Sequence, residues 1–135
     1  MSGGRVADRT ARSMTSLAVA LAAALAGCSP DAGSPDDPLS APEFLRAGLT
    51  AGDVAWVSAT LIDESARPDG VARLCDLVME SYPPQCGGPD LFVDNPEDVE
   101  AQSAAGVRWT DWGLFELEVV SADHVRVVSF GRMRA

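Results

Sequence analysis

Residues 114–120 and 124–130 alternate apolar and polar side chains across a short polar turn, and residues 54–62 are rich in β-branched and aromatic types. With the segments between them, these give the order strand, strand, strand, helix, strand, strand. That order predicts a mostly β fold, a small five-stranded OB-like barrel with one or two short helices and one disulfide.

The elements follow in chain order. Ser40 and Glu43 have the spacing of a capping box with Pro42 inside the first turn, so a short helix carrying Phe44 and Leu45 is expected to end at Gly48. Residues 54–62 form the first strand. The Pro68-Asp69-Gly70 sequence then reverses the chain. From Val71 the reading is double, because Val71, Leu74, Cys75, Val78, Met79 and Tyr82 fit helical spacing as well as a strand. We expect a strand through Cys75 passing into a turn or two of helix. Residues 91–93 make a short strand, and Asn95 is placed to cap a helix that opens with Pro96-Glu97-Asp98 and ends before Gly106. In the last hairpin, a loop of Ser121, Ala122 and Asp123 would pair Val119 with Val125 and Leu117 with Val127 on one face. The same register sets Glu118 opposite Arg126 on the other.

The N-terminus reads as an address. Arg5, Arg9 and Arg12 precede an apolar run over residues 14–26, interrupted only by Thr15 and Ser16 and too short to span a bilayer. Leu25-Ala26-Gly27-Cys28 resembles the lipobox of bacterial lipoproteins, in which the cysteine is acylated and becomes the first residue. Residues 1–27 are therefore expected to be a signal peptide and Cys28 the lipidation site, since two acyl chains suffice for stable anchoring. Residues 28–42 hold four prolines, three aspartates and one large apolar residue, Leu39. We read them as the acylated cysteine and a disordered tether, with the folded domain over 43–135.

From Cys28 onward the chain carries seven arginines, nineteen acids and no lysine, a formal charge of −12. Such a surface repels phosphate backbones, which excludes nucleic acid and favours basic protein patches. Cys75 and Cys86 are even in number and lie in an oxidising compartment if the leader is exported, so a disulfide between them is expected. Leu74-Cys75, the run from Glu80 through Ser81-Tyr82-Pro83-Pro84-Gln85-Cys86-Gly87-Gly88 to Pro89, and Gly106-Val107-Arg108-Trp109 resemble a group of small uncharacterised actinobacterial lipoproteins with a SYPPQCGG motif. The resemblance implies lipidation and a barrel-like domain, and transfers no catalytic residue.

Chemistry is sparse. His124 is the only histidine, and no nucleophile elbow or zinc-binding HExxH occurs. Asp90, Asp94, Glu97, Asp98 and Glu100 cluster without the spacing of a calcium loop, and the dipole of the expected helix accounts for several of them, so no metal or other cofactor is expected. Trp56 and Trp109 fall in strands and belong to the core, whereas Trp112 is expected at the surface. Binding candidates are Tyr82, Pro84 and Gln85, on a disulfide-closed loop stiffened by proline, and Trp112. The expected function is a non-enzymatic binding or accessory module of the cell envelope, held by the lipid on Cys28 at the extracytoplasmic face of the membrane and meeting an envelope protein or peptide. The alternative is a carboxylate-dependent envelope hydrolase.

Overall fold

The computed structural model describes residues 31–132. The signal peptide and Cys28 lie outside them. The structure is mostly β, with one α-helix, α1 (Ala41–Arg46), and nine strands: β1 (Val54–Asp63), β2 (Ala72–Cys75), β3 (Leu77–Met79), β4 (Gln85–Gly87), β5 (Leu91–Val93), β6 (Gln102–Ala104), β7 (Val107–Trp109), β8 (Gly113–Ser121) and β9 (His124–Arg132).

Five of these strands close a barrel in the order β1, β2, β5, β9, β8 and back to β1. Every pairing is antiparallel except β5 with β9. Counted along the chain, the barrel strands run first, second, third, fifth, fourth, which is the Greek-key order of the OB fold. Closure depends on β1, which pairs with β8 over Val54 to Ala59 and with β2 over Thr60 to Asp63. Its odd-numbered residues Ala55, Val57, Ala59 and Leu61 are fully buried and meet Leu74, Leu91, Phe115, Leu117 and Val125 inside the barrel. Strand alternation thus supplies the core directly.

The β8–β9 hairpin keeps the expected register, with Leu117 opposite Val127, Glu118 opposite Arg126 and Val119 opposite Val125. The turn is tighter than a three-residue loop, because Ser121 pairs with His124 and the extra residue becomes a bulge at Val120. At the far end Phe130 stacks on Phe115 at 4.5 Å. It also covers Gly113, where a Cβ would lie 2.3 Å from the Phe130 ring, so only glycine fits.

The capping box of α1 forms in both directions: Ser40 Oγ accepts from the Glu43 N–H, and a Glu43 carboxylate oxygen accepts from the Ser40 N–H. These bonds hold the exposed Glu43 carboxyl below the usual carboxylate range, the backbone donor contributing most. Gly48, at φ +72°, follows the helix end.

Three expectations are corrected. The first is the tether, because residues 32–40 are docked on the barrel. Trp56 N–H donates to Ala32 O, Leu39 N–H to Trp56 O and Ser58 N–H to Leu39 O, so this strap lies along the stretch of β1 that β2 does not reach. Leu39, Ala41 and Phe44 are buried in the barrel core. The second is the helix after Asn95: only a single 3-10 turn, Pro96–Asp98, forms, and β6 and β7 then make a hairpin through Ala105 and Gly106, both at positive φ. Two successive positive-φ residues are the signature of a tight β-turn, which ends any helix. The third is the stretch after Cys75, where Leu77–Met79 is a strand.

β3 and β4 form a separate two-stranded hairpin, with Val78 opposite Cys86 and Met79 opposite Gln85. The Cys75–Cys86 disulfide fastens it, with Cα atoms 5.5 Å apart. It covers a second small core outside the barrel, where Val78 and Cys86 pack on Ile62, Val107 and Trp109.

Candidate functional site

Alternation within β3 decides what the disulfide hairpin shows to solvent. Val78 turns inward, so its neighbours Leu77 and Met79 turn outward, with 61% and 53% of their surfaces exposed. At the tip, Ser81 Oγ donates to Pro83 O, and Tyr82 is 81% exposed. The Tyr82 and Trp109 rings stand perpendicular, with centroids 5.6 Å apart and planes at 84°, and most of the Tyr82 ring stays in solvent. Gln85 is exposed beside Met79, and Pro84 is half-buried. Three large apolar side chains are thus displayed on a covalently closed element of a small domain. Large apolar residues grouped at a surface are the usual mark of an interaction site.

Of the sequence-predicted binding residues, Tyr82, Pro84 and Gln85 therefore share one hairpin. Trp112 lies elsewhere, 43% exposed at the bend before β8. Leu77 and Met79 were missed. Their outward pairing flanks an inward Val78, a period-2 signal hidden because the same stretch also fits helical spacing. Trp109 is buried as expected. Trp56 is only partly buried, on the outer face of β1.

A cleft of about 750 Å³ opens beside Trp109. Its floor includes Trp109 and Phe130, and Glu97, Asp98, Glu100 and Asp111 stand around it. All four carboxylates are exposed.

The acids that looked like a calcium cluster are engaged separately. Asp90 pairs with Arg73 at 2.9 Å, Asp94 with His124 Nδ1 at 3.0 Å, and Asp98 accepts from Asn95 Nδ2 at 3.0 Å. Among the described residues no group of three or more histidine, cysteine or acidic side chains could hold a metal ion. The helix-dipole explanation for these acids goes with the helix. His124 also tilts against Phe92 at 5.1 Å, and its Nε2 stands 3.8 Å from Asp123.

Among the described residues, Asp63 is the one buried carboxylate whose titration is displaced. Burial pushes its pKa up, but the Ser65 hydroxyl, the Ser65 N–H and Arg108 outweigh burial and hold it below the usual value. Arg108 donates in the same geometry to Pro96 O and Val99 O. This residue ties the segment forming the cleft wall to the barrel.

The fold and surface define a class: a small OB-like barrel carrying a disulfide-anchored, apolar-tipped hairpin. No family model, curated protein or solved structure matches the chain.

Proposed function

We propose that the chain is a membrane-tethered extracytoplasmic lipoprotein whose barrel is a non-enzymatic binding or accessory module of the cell envelope, with the disulfide hairpin as its recognition element. The anchor rests on the lipobox-like Leu25-Ala26-Gly27-Cys28. No helix among the described residues is long and apolar enough to cross a membrane. Four peptide links separate Cys28 from Ala32, where the docked strap begins, and they reach at most about 14 Å. An acylated Cys28 thus keeps the barrel close to the headgroups.

Binding rests on one observation, the exposure of Leu77, Met79 and Tyr82 on an element that the disulfide prevents from collapsing. Asp76 and Glu80 flank β3 in the sequence, in a chain of strongly negative charge. The partner this surface fits is an envelope protein with an apolar contact rimmed by lysine or arginine. The hydrolase alternative is weaker, because the carboxylates of the cleft are solvated.

Photo-cross-linking residues placed at positions 77, 79 and 82 of the full-length protein should give one discrete adduct in the envelope, and a residue placed at position 69 should not. Tyr82→Ala should remove the adduct formed from position 79 while leaving the melting temperature within about 2 °C, as surface substitutions usually do. Equal cross-linking from position 69, or an adduct that survives Tyr82→Ala, would contradict the reading.

A further inference from the structure

Among the described residues, the far half of β9 has a strand edge that no other strand pairs with. β9 pairs with β8 from Ser121↔His124 to Gly113↔Arg132, with a bulge at Val128 after which the pairing resumes at Ser129. On its other edge β5 reaches it only at His124 and Val125, because β5 is three residues long. Asp94 N–H donates to Val125 O, and the Asn95 side chain supplies the next rung: Oδ1 accepts from Val127 N–H at 2.7 Å and Nδ2 donates to Val127 O at 2.9 Å. There the ladder stops. Among the described residues no strand or loop pairs with that edge of β9 from Val128 to Gly131.

A groove follows this edge. Two adjoining hollows, of about 750 and 350 Å³, together run beside β9 from Arg126 to Gly131, and their opposite wall is the segment 97–102 that Arg108 holds in place. A strand next to β9 would lie about 4.8 Å from it, inside this groove. Main-chain pairing with an exposed edge gives affinity that does not depend on sequence, and the side chains of alternate residues give specificity. Glu97, Asp98 and Glu100 line the wall opposite β9, and Trp109 and Phe130 contribute apolar floor.

We propose that this groove takes an extended, basic peptide segment that adds to β9 as a further strand, its backbone pairing with the regular stretch 129–131 beyond the bulge at Val128 and its lysine or arginine side chains facing the acidic wall. The groove shares Trp109 with the base of the disulfide hairpin but is lined by none of the hairpin's own residues, and it would serve a different stretch of a partner.

The probe is a capped, fluorescein-labelled peptide of alternating valine and lysine, with a second version N-methylated at every other residue so that one edge cannot donate hydrogen bonds. Binding to the detergent-extracted full-length protein is read by anisotropy, and its location by hydrogen exchange. The expected result is binding of the unmethylated peptide, slowed exchange over residues 129–131 with none over 77–87, and at least tenfold weaker binding of the methylated peptide. Replacing Glu97 and Glu100 by glutamine should weaken binding about fivefold, the size expected for two exposed charge contacts. Equal binding of both peptides would reduce the groove to a non-specific acidic surface and overturn the proposal. Absence of binding, or protection confined to other residues, would overturn it as well.

Discussion

Asn95 shows how one side chain can replace a length of strand. Its amide satisfies both the N–H and the C=O of Val127 and donates to Asp98 while almost fully buried. Asn95→Ala leaves two backbone groups without partners, so a loss of about 2–4 kcal/mol is expected in denaturant unfolding. Asp63 gives the molecule an acid-sensitive point. Its folded-state pKa is depressed, so its stabilising contribution is complete above the ordinary aspartate value near 4 and is lost as pH falls through the lower folded value. The stability difference between the wild-type protein and Asp63→Asn, measured by unfolding at a series of pH values, should therefore shrink below about pH 4. Neither role was legible in the sequence. Asn95 beside Pro96 reads as a helix cap, and only the proximity of Val127, thirty-two residues away, shows that its amide is needed elsewhere.

At the level of elements, what could be read depended on whether a local pattern had one solution or two. The β8–β9 hairpin was legible because inward Leu117, Val119, Val125 and Val127 alternate with polar residues over two long strands, and a slip by one residue would turn all of them out. The α1 cap was legible because Ser40 and Glu43 interact locally. Residues 77–79 were not, since a three-residue strand gives too little alternation to separate a period of 2 from one of 3.6. The strap was hidden by composition. Its prolines and aspartates mark disorder, yet a single Leu39 between a polar bend and the start of α1 is enough to bridge the free edge of β1 and enter the core. Gly33 permits this, since its φ of +73° and the backbone of Trp56 2.7 Å from where a Cβ would stand exclude larger residues. Leu39→Ala should cost about 2–4 kcal/mol in denaturant unfolding, the range for a buried leucine in a core. A change under 0.5 kcal/mol would return residues 32–40 to the status of a tether.

On the scale of the whole molecule, the barrel is a compact platform and the two proposed binding surfaces are peripheral to it. The interior is filled by aliphatic and phenylalanine side chains, and the exposed apolar residues of the hairpin stand on an added two-stranded unit fastened by the disulfide. Closing a loop of this length contributes roughly 3 kcal/mol in the chain-entropy account, which matters for a domain of this size. An exported, oxidising location would keep that bond formed, and the lipid on Cys28 would hold both surfaces at the membrane. Such an anchor would set where either proposed surface can meet a partner. The most direct test is the intact mass of the protein extracted from membranes: it should correspond to a chain that begins at Cys28, carries a diacylglyceryl group and retains the Cys75–Cys86 bond, and Cys28→Ala should abolish the lipid mass and the membrane fractionation together. Recovery of an unacylated chain that begins at another residue, or a Cys28→Ala variant that stays in the membrane fraction and still incorporates labelled fatty acid, would contradict it.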